Sequence, residues 1–414
     1  MNTIYHRTTC RLCDSSRLEL VVPYLPTPIA DAYVSESNKA IQQELYPLDL
    51  YFCRDCSHLQ LCDVVNPELL FRNYTYVTSV SLGLVEHFRQ YAENIVSDFA
   101  IREGSLVVEI GSNDGSLLRF FKNKGMRVIG VDPALTIARN ATENGIETLA
   151  VFFSMDIAKQ LYSKHGTASV IAANNVFAHA DNLGEISDGI RELLKDDGVF
   201  IFEVSNLADI VQKMLFDTIY HEHLSYHSVI SLSSFFKRRG LDLFDVQGIP
   251  TKAGSIRGFV QKIGGPRQIS ESIEKQHALE IALGLDHPQV FREFAKKIDA
   301  CRTNLTNLIN EIMSQGKKIA GYGASATVTT LLYNLKLQNS ISVLFDDNPV
   351  KHGTLSPGVH IPVVPSNEIY HRRPDYIIIL AWNYADSIMK RHVRYLEEGG
   401  RFISPLPDVR ICSA

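Results

Sequence analysis

The spacing of apolar residues changes character twice along the chain. Up to about residue 75 they come in short runs, Leu18 to Val22, Leu50 to Phe52 and Leu59 to Leu61, separated by turn formers. This predicts short strands in a segment that buries little core of its own. From about residue 80 they recur at helical intervals (Leu82, Val85, Phe88, Tyr91). Then come short runs apolar on both faces, separated by helix-like stretches: Leu106 to Ile110, Val128 to Val131, Ala168 to Ala172 and Gly198 to Glu203. Such alternation predicts a parallel sheet covered on both sides. A polar, helix-prone tract from Ile269 to Gln315 predicts long connecting helices. A second strand and helix alternation follows at Ile319 to Ala324, Val343 to Asp347 and Tyr376 to Ala381. The expected fold class is α/β, divided at 1–75, 76–265 and 266–414, and a chain of 414 residues is long enough for three such units.

Bulk properties narrow the partners. A formal charge of −5 supplies no broad basic field, so neither nucleic acid nor an anionic membrane is expected as partner. The longest apolar run, Tyr376 to Trp382, is far too short to span a bilayer, and the opening residues contain no apolar signal core. A soluble protein is expected, with monomer as a possible state. Of seven cysteines, four form the pairs Cys10-x-x-Cys13 and Cys53-x-x-Cys56. Two such knuckles set four soft thiolates at the corners of a tetrahedron, the preference of structural Zn²⁺. Incidental thiols on two surface turns are the competing reading. Paired knuckles fit a reducing compartment better than a disulfide framework, which places the protein in the cytoplasm. Cys62, Cys301 and Cys412 are expected to be small buried hydrophobes.

The stretch Val107 to Ser116 contains a buried strand with an acid, Glu109, running into a loop with glycines four apart, Gly111-Ser112-Asn113-Asp114-Gly115. It lacks the third glycine of a dinucleotide fingerprint, which brings a helix N-terminus against a pyrophosphate. S-adenosylmethionine has no phosphate, and Glu109 with Asp132 after the second strand suits a cationic ligand bearing ribose hydroxyls. Phe152 and Phe153 are candidates to flank an adenine, with plain core as the alternative. Asn174 and Asn175 close the strand that ends beside the same cleft, and His179 follows them.

The densest chemistry lies in Phe216 to Tyr226, where Tyr220-His221-Glu222-His223 packs a carboxylate, a phenol and two imidazoles together. An extended segment would put Tyr220 and Glu222 on one face, whereas a helical one would make Tyr220 and His223 neighbours. Competing readings are a solvated loop, a satisfied core histidine at His179, and a metal site from His221, Glu222 and His223.

The order of these motifs, together with Tyr74-Thr75-Tyr76, Gly321-Tyr322-Gly323-Ala324, Asp346-Asp347-Asn348-Pro349 and Ala381-Trp382-Asn383, resembles the nucleotide-ketosugar C-methyltransferases, among them the deoxysugar C-3 methyltransferases. The resemblance spans nearly the whole chain. It implies a zinc-binding N-terminal lobe, a central class I (Rossmann-like) S-adenosylmethionine-binding domain and a C-terminal Rossmann-like domain. It also implies a nucleotide-linked keto-deoxysugar substrate, with Tyr76, His179, Tyr220, Glu222 and His223 lining its pocket and His223 as the base. Two positions depart from the family pattern and bear on how the nucleotide sugar is held. Thr327 stands where relatives usually carry lysine, and Lys252-Ala253 where they tend to carry His-Gly.

Overall fold

The computed structural model describes residues 3–413 apart from Asn73, Thr75, Tyr76 and Ser81. The cysteine-bearing segment folds as an antiparallel sheet of Leu18–Val22, Leu50–Cys53 and Leu59–Leu61. Its fourth strand, Ser225–Tyr226, arrives from far along the chain and pairs antiparallel with Leu59 and Gln60. The adjoining Leu61 amide donates to the Leu224 carbonyl at 3.0 Å. The strand after the histidine block is thereby part of the cysteine lobe.

The central sheet has seven strands in the order Leu241–Ile249, Ser255–Lys262, Leu194–Ser205, Ala168–Asn174, Leu106–Ile110, Arg127–Val131, Thr148–Leu149. The last five run parallel, as the apolar runs predict. The first two form an antiparallel hairpin, so the sheet is mixed rather than purely parallel. An edge strand needs no crossover helix and tolerates polar positions such as Asp242 and Asp245. Aromatic side chains fill both faces, Phe177, Phe200, Phe202 and Phe236 on one and Tyr91, Phe121 and Phe259 on the other.

Beyond it, Pro288 opens the long helix Pro288–Ser314 at a position where its missing N–H is harmless. The helix buries Phe291, Phe294, Ile298, Cys301, Leu305, Ile309 and Ile312, a stripe spaced three and four residues apart. A six-stranded sheet follows, ordered Val363–Pro365, Leu344–Asp346, Ile319–Tyr322, Tyr376–Ile379, Arg401–Ser404, Arg410–Cys412, with only the last strand antiparallel. Among the described residues no helix is long and apolar enough to cross a membrane.

One apolar cluster joins regions that are remote in sequence. Leu48 and Phe52 of the cysteine lobe, Phe216 and Ile219 ahead of the histidine block, Phe291 of the long helix and Leu331 and Ile378 beyond it share a single core. The Phe52 and Phe291 rings lie 5.5 Å apart. Phe52→Ala is therefore expected to lower stability by about 3–5 kcal/mol through lost burial and a cavity, read as a fall in the urea midpoint. An unchanged midpoint would show that this seam carries no packing energy.

Candidate functional site

Each cysteine knuckle closes in the same way. The Asp14 amide donates to the Cys10 carbonyl at 3.0 Å and the Ser57 amide to the Cys53 carbonyl at 2.9 Å, with Asp14 and Ser57 both at φ 59°. The four sulfurs lie within 4.8 Å of one another, with Cys10–Cys56 and Cys13–Cys53 each 3.5 Å apart. Tetrahedral zinc, at about 2.3 Å from each sulfur, holds thiolates about 3.8 Å apart, so the set fits. Without a cation they cannot all ionise. The hydrogen bond with Cys53, aided by burial, pushes the Cys10 thiol up to about 12. This is the sole metal-ligand cluster among the described residues, so His221, Glu222 and His223 do not form a second one.

The knuckles also reach the histidine block. Arg11, inside the first knuckle and 2% exposed, pairs with Asp181 at 2.9 Å and donates to the carbonyls of Leu61 and Leu224, the latter at 3.2 Å. Upstream, the Thr330 hydroxyl donates to the Ile219 carbonyl at 2.8 Å and the Trp382 indole to Asp217 at 2.9 Å. Burial raises the Asp217 carboxyl to about 7.

Between these anchors Tyr220 to His223 forms a tight turn, closed by the His223 amide donating to the Tyr220 carbonyl at 2.9 Å. The turn makes Tyr220 and His223 neighbours, their ring centroids 4.1 Å apart. His179 stacks on the other side of His223 at 5.0 Å, and Phe71 on His179 at 5.6 Å. His221 points away, its Nε2 against the Pro47 carbonyl at 3.1 Å. His223 Nδ1 lies 2.7 Å from the Thr218 carbonyl. A carbonyl only accepts, so Nδ1 holds the proton and the lone pair resides on Nε2. Burial, then the charge of Lys252, lowers the His223 imidazole to about 3, and burial lowers His179 as well. Glu222 moves the other way: burial and then Asp31 raise its carboxyl to about 7, opposed by Lys252 and by a hydrogen bond with Tyr74. Tyr76 lies outside the described residues.

The glycine loop lies at the carboxyl end of the central sheet. Gly111, at φ 69°, packs so closely on Val176 that a Cβ would collide with it. Asn113 accepts from the Thr78 amide at 2.9 Å, and Asp114 accepts from Ser79 and from Ser116, at the start of the helix Ser116–Asn123. Gly115, at φ 74°, is the helix cap. Asp132, expected beside the ribose hydroxyls of the ligand, accepts from the amides of Asn113 at 2.8 Å and Ala134 at 2.9 Å and so braces the loop. Phe153 is 8% exposed and belongs to the central core. Glu109 Oε2 and both amide atoms of Asn174 are buried without a hydrogen bond of normal geometry, although the amide is near enough to Glu109 to oppose the rise that burial causes. Unsatisfied polar atoms beside a glycine loop fit the amino and hydroxyl groups of S-adenosylmethionine. A small pocket lined by Asn175, His179, Val204, Ser205 and His223 lies beside the stacked imidazoles.

Two groups escaped the sequence reading as site residues. Lys252 was noted only as a departure from a pattern; the hairpin turn brings its charge to bear on Glu222, His179 and His223. Glu203, 1% exposed, is held by Arg257 and by His87 at 3.0 Å, and nothing in its local sequence marks it.

Known proteins agree with this layout. A zinc binding domain family matches residues 10–71, a methyltransferase domain family residues 84–246, and a C-methyltransferase C-terminal domain family residues 250–407. The C-methyltransferase NovU of Streptomyces niveus is 34% identical over 406 residues, covering 98% of this chain and 97% of that protein. Among solved structures, magnesium protoporphyrin IX methyltransferase of Synechocystis PCC 6803 is 15% identical over 44% of this chain and 84% of its own, with a TM-score of 0.35. The CcbJ methyltransferase of Streptomyces caelestis is 16% identical over 42% and 89%, with a TM-score of 0.33. Likenesses that slight add nothing to the sequence match.

Cys53→Ser is expected to reduce bound zinc from a full equivalent to a small fraction by atomic absorption, and to speed amide exchange at Leu224 to Tyr226. Unchanged protection there would show that the strand pairing stands without metal. His223 is expected to remain neutral from about pH 5 to 8, so its ring resonances should not titrate where a free imidazole does, near about 6.5. A titration midpoint close to that value would contradict the enclosure described.

Proposed function

The chain belongs to a family of S-adenosylmethionine-dependent C-methyltransferases, and from that premise we propose that it methylates carbon 3 of a nucleotide-linked 4-keto-6-deoxy sugar through an enolate. The observation that carries this reading is the tautomer of His223. With Nδ1 bound to the Thr218 carbonyl, Nε2 is a neutral proton acceptor locked between His179 and Tyr220. A carbon next to a ketone yields its proton only when a base and an oxyanion donor act together.

Bound S-adenosylmethionine supplies the electrophilic methyl group. Around it Glu109 and Asn174 offer unsatisfied acceptors and a donor, and the Gly111 turn allows close approach. On the substrate side His223 Nε2 takes the proton from carbon 3, and His179 or the Tyr220 hydroxyl donates to the oxygen that becomes negative. Enclosure weakens His223 as a base: a fall from about 6.5 to about 3 in pKa removes about 5 kcal/mol of driving force. The enolate charge forming beside the imidazolium restores part of this, since the two ions appear together in a low-dielectric cleft.

A second assignment has its own support. Glu222, raised to about 7, is better matched to physiological pH as a base, and it ionises as pH rises through that value. With His223 as base, His223→Ala is expected to slow methyl transfer by about 10²–10⁴-fold and abolish solvent deuterium exchange at carbon 3, with S-adenosylmethionine still bound in a titration. Wild-type exchange in that variant, together with a rate that rises through pH 7 and loses that limb in Glu222→Gln, would move the role to Glu222. Absence of exchange and methylation in the native enzyme across 4-keto-6-deoxy nucleotide sugars would reject the substrate class.

A further inference from the structure

The hairpin that makes the central sheet mixed has an unusual turn. Lys252 and Ala253 are consecutive left-handed residues at φ 53° and 66°, followed by Gly254 at φ 149°. Side chains with a Cβ avoid this region, so the surroundings must impose it. They do so from several sides. The Lys213 ammonium donates to the Ala253 carbonyl at 2.8 Å, the Asn206 amide to Gly254 at 3.3 Å, and the Ser255 hydroxyl to the Thr251 carbonyl at 3.0 Å. Gly254 lies against Asp209 with no room for a Cβ.

The braced turn adjoins the stacked imidazoles, because Ser255 pairs with Ser205, which lines the same small pocket as His179 and His223. Among the described residues none forms an ion pair or hydrogen bond with Lys252 Nζ, whereas the neighbouring Lys213 is paired with Asp209 at 2.6 Å. Lys252 is exposed to solvent, yet enough protein lies around its ammonium for burial to lower it. The groups within its field are Glu222 and Glu203, which favour its charge, and His179 and His223, whose charged forms it opposes. A cation held by a strained turn among the reacting groups, with no fixed partner, is suited to meet a negative charge brought by the substrate.

We infer that Lys252 is a catalytic residue whose ammonium stabilises the oxyanion formed on the sugar when carbon 3 is deprotonated. This rests on the enolate reading above and adds the charge that His179 and Tyr220, both neutral, lack. The C–H pair enters the bond between carbons 3 and 4 as the proton goes to His223 Nε2. The carbonyl pair moves onto oxygen, against which Lys252 places its charge without giving up a proton. The enolate pair then forms the bond to the methyl carbon, the C–S pair stays with sulfur, and the carbonyl returns.

Two measurements test this with Lys252→Met and Lys252→Arg. With 4-keto-6-deoxyglucose linked to thymidine diphosphate or uridine diphosphate, Lys252→Met should lower kcat for methylation and the rate of carbon-3 deuterium exchange by about 10²–10³-fold, leave KM within a few fold, and be partly rescued by Lys252→Arg. Without substrate, the His223 ring should titrate at a higher pH in Lys252→Met than in the native protein, and Lys252→Arg should reverse this. A raised KM with unchanged kcat would assign Lys252 to binding the diphosphate and overturn the inference. Native exchange in Lys252→Met would overturn it while leaving the enolate reading intact, whereas no exchange in the native enzyme would defeat that reading instead.

Discussion

The whole site depends on a two-residue strand pairing. Ser225–Tyr226 closes the edge of the sheet that bears the cysteine knuckles, and this pins the C-terminal side of the histidine turn. The Ser225 amide also donates to the Ala178 carbonyl at 3.1 Å, next to His179. On the N-terminal side, Thr330 and Trp382 hold Ile219 and Asp217 from the far end of the chain. Four residues of turn are thus gripped by three regions, and their rings have little freedom left to lose when a ligand arrives.

This arrangement gives the metal lobe a mechanical purpose. Zinc would cross-link two knuckles from segments some forty residues apart, and the guanidinium inside one of them reaches the carbonyl next to His223. A segment with so small a core gains its rigidity from ligand bonds. That rigidity is passed on through backbone hydrogen bonds to the imidazole, so the lobe acts as a frame for chemistry occurring outside it.

Electrostatics in the cleft follow from enclosure. Protein packed around His179 and His223 disfavours their charged forms, so both rest neutral at physiological pH. The same enclosure lifts Glu222. Two opposing displacements in adjacent residues, one carboxyl up and one imidazole down, separate the roles available to the turn. Neutral bases next to an unmatched cation suit a reaction in which negative charge appears on carbon and oxygen.

Local patterns made much of this legible. The knuckles, the parallel strands, the glycine loop and the make-up of Tyr220 to His223 are set by residues near one another in the chain, where spacing translates directly into geometry. The hairpin Leu241–Ile249 with Ser255–Lys262 was missed because its strands are partly polar and one forms an edge, so neither presents the continuous apolar run of a buried strand. With it went Lys252, whose meaning depends on where a turn points. Asp132 shows the same limit: its place after the second strand was apparent, but its binding to the amides of Asn113 and Ala134 was not. By itself the sequence determined which chemical groups the protein owns and which elements carry them. Only the tertiary structure decided which imidazole nitrogen is free, which histidine turns away, and which cation acts on the turn's electrostatics, because those depend on hydrogen-bond partners and fields contributed by residues far apart along the chain.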